Sequence, residues 1–127
     1  MRIQMRLSKE AKVILEEIKL QTLKDEGSNL TFSYIFNRIC SELKSDYLNI
    51  DWLKVYNQKE YSSIINHYTS MNPTALSLNE DSILLISELI QKFNEELDMR
   101  RTVYKSFVVR MILKSYALKQ DNYKIHL

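Results

Sequence analysis

Residues 2–8 read Arg-Ile-Gln-Met-Arg-Leu-Ser and alternate without exception. Ile3, Met5 and Leu7 fall on one side of an extended chain, and Arg2, Gln4 and Arg6 on the other. A period of two marks a strand with one buried and one wet face. The wet face carries only long side chains able to hydrogen-bond the edges of bases. A lone strand cannot satisfy its own backbone, so the chain must supply a partner. It has few places in which to turn, with one Gly and one Pro in 127 residues. That scarcity argues against a turn-rich β fold and for helices joined by few breaks.

An apolar share of 45% is ample for one core, so a single compact domain or two very small units are expected. Cys40 is the only cysteine, which rules out an intramolecular disulfide and fits a reducing cytoplasm. No apolar run reaches the length of a membrane span, and Arg2 and Arg6 do not suit a signal peptide. The net charge of +2 is too small to argue for nucleic acid by itself.

The distribution of charge says more. Arg2, Arg6 and Lys9 come with no acid among residues 1–9. Residues 99–124 hold Arg100, Arg101, Lys105, Arg110, Lys114, Lys119 and Lys124 against Asp121. Between them, residues 77–98 are acidic, with Glu80, Asp81, Glu88, Glu95, Glu96 and Asp98 against Lys92. Oppositely charged helices can neutralise each other, or the basic stretches can share one face. The sequence leaves both open.

Ser8 is placed to cap a helix carrying Ala11, Ile14, Leu15, Ile18 and Leu23 at helical spacing, which Gly27 ends. Thr31 is placed to cap a second, running through Ile35, Phe36, Ile39, Cys40 and Leu43 to about Asp46. The order then returns. Thr74, Leu76 and Leu78 alternate with Ala75 and Ser77, and Asn79 can cap a helix bearing Ile83, Leu85, Ile86, Leu89, Ile90 and Phe93. A break near Leu97–Thr102 leads to a last helix with Val103, Phe107, Met111 and Leu118. Leu7 to Thr31 and Leu78 to Thr102 are equal spans, which points to an internal repeat. The expected division is 1–48, a connecting helix within 49–71, and 72–127. Asp51 would cap the connecting helix, with Trp52 beside Leu53, Tyr56, Tyr61, Ile64, Ile65 and Tyr68. Aromatics at that spacing can form a base-stacking platform but more commonly pack inward.

Nothing here resembles a catalytic centre. His67 and His126 lack metal-ligand spacing with each other or with Cys40, and there is no glycine-rich phosphate loop or nucleophile–base pair. Neither an enzymatic activity nor a cofactor or metal is expected. Cys40 sits among apolar neighbours and should pack as a small hydrophobe. The geometry that carries chemistry is a two-stranded ribbon, which fits the DNA major groove. Arg suits guanine O6 and N7, and Gln suits adenine N6 and N7. Free N–H groups opening a helix suit phosphate, as at Thr31, Phe32 and Ser33, and at Thr102, Val103 and Tyr104 in the second unit.

The run Arg2–Ile–Gln–Met–Arg–Leu–Ser, a helix, Gly27, and then Thr31–Phe–Ser opening another helix resembles the ribbon-helix-helix DNA-binding family (the MetJ and Arc type). The match is good over 2–46 and weaker over about 72–118. The resemblance implies a mainly α fold with a short antiparallel ribbon, in tandem, with an inserted helix between repeats. It implies that Arg2, Gln4 and Arg6 read bases. Thr31, Phe32, Ser33, Thr102, Val103 and Tyr104, helped by Arg100, Arg101 and Lys105, would hold phosphates. The first helix is about one turn longer than usual for the family. In antiparallel pairing Arg2 would face Ser77, Gln4 would face Ala75 and Arg6 would face Pro73, so only Ser77 on the second strand can address a base. The expected site is therefore asymmetric. Whether the ribbon closes within one chain or between two stays open.

The implied partner is double-stranded DNA, without a membrane. Self-association on DNA, and a relaxase or other protein partner, are compatible with it. A transcriptional regulator is the commonest role implied; the tandem form is also similar to accessory proteins that bind a plasmid origin of transfer. A helical protein-interaction module without DNA binding is the alternative of another class.

Overall fold

Two four-residue strands, Arg2–Met5 (β1) and Thr74–Ser77 (β2), pair antiparallel in the computed structural model, which describes residues 1–65, 73–97 and 104–127. The register is Arg2 with Ser77, Ile3 with Leu76, Gln4 with Ala75 and Met5 with Thr74. The partner strand therefore lies within the same chain, in the alignment that the family resemblance implied. The ladder ends at Met5–Thr74, one pair short of the expected Arg6–Pro73 contact. Met5, Leu7, Thr74, Leu76 and Leu78 are buried beneath the ribbon and Ile3 is half-buried.

The rest is mainly helical: α1 (Lys9–Glu26), α2 (Phe32–Leu43), α3 (Trp52–Asn57), α4 (Glu80–Glu96) and α5 (Lys105–Gln120). Side-chain oxygens cap the first four. Ser8 accepts from the Ala11 amide, Thr31 from Tyr34, Asp51 from Lys54 and Asn79 from Ser82, each at 2.9–3.1 Å. Gly27 ends α1 in the left-handed region (φ 71°), where its N–H bonds Leu23 O at 2.9 Å. α1 packs on α2 and α5, while α4 packs on α5 and α2. One apolar core results, including Leu15, Phe36, Ile86, Leu89, Phe93 and Ile112. Ile18 is only half-buried and Leu23 lies exposed. Cys40 is buried against Ser82, and burial pushes its thiol up to about 12.

Three expectations need correction. The connecting helix is short: α3 ends at Asn57, Gln58 is extended, Tyr61 adopts φ 61°, and a 3₁₀ turn follows at Ser62–Ile65. Tyr68 and His67 lie outside the described residues. Its aromatics face inward, with Trp52 fully buried against Phe93 at 5.2 Å between centroids and Tyr56 half-buried 6.1 Å from Phe107. Second, α5 starts at Lys105 with Tyr104 as its cap residue, two positions later than the repeat spacing expects.

Third, Arg110 and Lys114 do not join a basic surface, since both are buried. Lys114 Nζ donates to the carbonyls of Tyr56 (3.2 Å) and Gln58 (2.7 Å), and Arg110 Nη1 to that of Ile65 (2.9 Å). The interruption after α3 frees carbonyls that need donors, and two α5 cations supply them.

Burial lowers the Lys114 ammonium to about 8 from 10.5. Between those values the unfolded chain binds a proton that the folded chain has released, so stability rises with pH. A neutral amine still donates to both carbonyls. The urea midpoint should climb from pH 7.5 to 9.5, and Lys114→Met should be less stable but flatter over that window. An equally steep climb in the variant would rule out Lys114 as its source. Above pH 10 the trend should reverse, because hydrogen bonds to Glu88 and Asp121 hold the Tyr47 and Tyr61 phenols up, Tyr61 to about 12.

Candidate nucleic-acid interface

The ribbon's outer face is built by the alternation alone. With Met5 and Leu7 buried, Arg2, Gln4 and Arg6 must point to solvent, and all three are exposed. None meets a hydrogen-bond or ionic partner among the described residues. Opposite them stand exposed Ser77, half-buried Ala75 and exposed Pro73. One strand presents three long polar side chains and the other a single hydroxyl. Such a face can hydrogen-bond base edges and offers nothing for acid–base or covalent chemistry.

The ribbon is fastened to the helices at one end. Ser33 Oγ accepts the Ser77 N–H (2.8 Å), and Asn37 Nδ2 donates to Ser77 O (2.9 Å). Asn37 Oδ1 accepts from the Asn79 N–H (3.2 Å) and the Ser82 hydroxyl (2.8 Å). Asn37 thus ties α2 to the β2–α4 joint, a role the sequence reading missed. The signal was there: an Asn inside the apolar run Ile35–Cys40 is a poor helix residue without a specific partner. These bonds also commit the Ser33 hydroxyl inward, which leaves its backbone amide as the group available to an anion. At the other end, Ser8 Oγ donates to Ile64 O (2.5 Å), holding the turn from β1 into α1 against the connector.

Two helix starts flank this arrangement. In α2, Thr31 takes the Tyr34 amide, while the Phe32 and Ser33 amides find no acceptor among the described residues. In α5, exposed Tyr104 makes no side-chain capping bond, and the amides of Lys105, Ser106 and Phe107 find no acceptor among the described residues, with the exposed Lys105 ammonium beside them. The helix start lies two positions beyond the one expected after Thr102. Arg100, Arg101, Thr102 and Val103 lie outside the described residues.

The charge near the ribbon is mixed. Lys9 is exposed at the first position of α1, but Glu10, Glu80 and Asp81 occupy the first turns of α1 and α4. They suit the helix dipoles and oppose an incoming anion. Lys44 partly offsets Asp81 at 3.3 Å. Among the described residues no cluster of His, Cys, Asp and Glu is placed to hold a metal ion, and no helix is long and apolar enough to cross a membrane. His126 instead bonds Asp46 at 2.7 Å, which lowers the Asp46 carboxyl. Compared with protein-family models, curated proteins and solved structures, the chain finds no match.

Proposed function

We propose that this chain binds double-stranded DNA in a sequence-specific manner by laying the β1–β2 ribbon in the major groove, as a tandem ribbon-helix-helix protein. One observation carries the reading: Arg2, Gln4 and Arg6 stand exposed on one strand of an antiparallel ribbon, with no partner among the described residues. A two-stranded ribbon fits the groove, and these side chains have the donor and acceptor patterns for guanine and adenine. The tandem reading draws support from the exchanged packing, in which α1 contacts α2 and α5 as α4 contacts α5 and α2.

Phosphates would be held by the open amides of Phe32 and Ser33 after Thr31, and by those following Tyr104, with Lys105 adding charge. Arg100, Arg101, Thr102 and Val103 belong to the same proposed set by position. Backbone contacts would position the protein while Arg2, Gln4 and Arg6 specify sequence, with Ser77 a minor contributor. The role that follows is occupancy of a DNA site, as by a transcriptional regulator.

Selection of bound duplexes from a random pool tests this directly. The expected product is an enriched motif with guanines and an adenine concentrated in one half. A pool that emerges unenriched at low and moderate salt would reject the proposal in favour of a module without DNA binding.

A further inference from the structure

The two helix pairs differ in what covers them. In α4, burial persists to the end of the helix through Leu89 and Phe93 to Leu97. In α1 no residue after Leu15 is buried, although the helix runs on to Glu26. Aligned on the caps Ser8 and Asn79, Ile18 corresponds to Leu89, Thr22 to Phe93 and Glu26 to Leu97. Aligned on the starts of α2 and α5, Ile35, Arg38, Ile39 and Glu42 correspond to Val108, Met111, Ile112 and Ser115, all buried. The α4–α5 side is covered by α3, whose Trp52 packs on Phe93.

The matching place on the α1–α2 side is open. It forms a trough of about 400 Å³ floored by Ile18, Ile35, Ile39 and half-buried Tyr116. Smaller hollows adjoin it, sharing Tyr116 and Gln120. Glu17, Asp25, Glu26 and Glu42 rim it, and Arg38 is already paired with Glu26 at 2.7 Å. The correspondence extends to the rim. Glu88, the counterpart of Glu17, accepts the Tyr47 hydroxyl on the covered side.

We infer that this trough is a docking site for a basic amphipathic helix of a partner protein, seated between α1 and α2 as α3 is seated between α4 and α5. The fold itself shows the mode of filling: a short helix that inserts a bulky apolar anchor. The acidic rim sets the charge of the occupant, since unmatched carboxylates repel acidic segments and steer basic ones. Because the trough is lined by the later turns of α1 and α5, it leaves Arg2, Gln4 and Arg6 clear. The inference rests on the tandem reading, although not on DNA binding.

A helical peptide carrying residues 51–58 of this chain between lysine flanks is the probe, with a glutamate-flanked version as its control. Titrated into the whole protein and followed by amide NMR shifts, the lysine peptide should perturb Ile18, Ile39 and Tyr116. Glu17→Lys with Glu42→Lys should weaken it at least tenfold and favour the glutamate peptide, with the unfolding midpoint kept. Shifts centred elsewhere, or equal affinity for both peptides, would overturn the inference. So would concentration-dependent self-association abolished by the double variant, which would make the occupant a second copy. Duplex selection is read separately, so either proposal can fail alone.

Discussion

Arg2→Ala combined with Arg6→Ala is expected to cut affinity for the selected duplex by about 30- to 20,000-fold, at about 1–3 kcal/mol per bidentate base contact. The stability of the protein should stay within about 0.5 kcal/mol of wild type, as for other surface substitutions free of special contacts. Neither guanidinium meets a partner among the described residues, and both side chains are exposed, so their removal leaves no buried group there unsatisfied. The loss should fall on the cognate duplex more than on random duplex, because base contacts discriminate while phosphate contacts do not. Ser77→Ala should change little by comparison. Competition titrations against cognate and scrambled duplex give the measurement. An unchanged ratio between the two would remove the ribbon from recognition.

Trp52→Ala should be the most damaging change to the fold, at about 3–5 kcal/mol, the range for truncating a large buried aromatic. Three losses coincide: ring contact with Phe93, burial of the α4–α5 face, and the bond from Nε1 to Tyr47 O at 3.0 Å. Against a total stability of about 5–15 kcal/mol for a small domain, such a change approaches unfolding. Urea denaturation followed by circular dichroism measures it, with Trp52→Phe expected to recover part of the loss. A cost below about 1 kcal/mol, typical of surface sites, would mean that α3 lies outside the cooperative core.

What the sequence made legible was local. Alternation at residues 2–8 and 74–78, together with Ser8, Thr31, Asp51 and Asn79 as caps, placed the strands and most helix starts. The alternation set which residues face inward, since a slip by one residue would turn Met5 and Leu7 outward, while the pairing of Gln4 with Ala75 came from the family resemblance. What it hid was tertiary. The apolar spacing from Trp52 to Tyr68 reads as one helix, yet the chain turns at Gln58, and the carbonyls this frees take donors from Lys114 and Arg110, far along the sequence. A buried lysine looks like any other in a list of charges, so the basic C-terminal stretch overstated the available positive surface. The start of α5 was misplaced because the equal spans pointed to Thr102, whereas the helix takes Tyr104 as its cap residue. For the interface, the outward side chains were readable from one strand, whereas the inward commitment of Ser33 and the part played by Asn37 required the fold.

One junction bears on the timing of synthesis. Residues 49–51 are laced to residues 125–127: Asp51 N–H bonds Ile125 O at 2.7 Å, Leu127 N–H bonds Asn49 O at 2.8 Å, and Ile50 bridges His126. β1 likewise waits for β2, more than half the chain later. On the ribosome, α3 and the first strand thus emerge well before the segments that fix them. Such distant pairings slow folding and leave apolar surface uncovered meanwhile. During translation the nascent chain must carry Trp52 and the unpaired edge of β1 through an interval in which chaperones have most to hold.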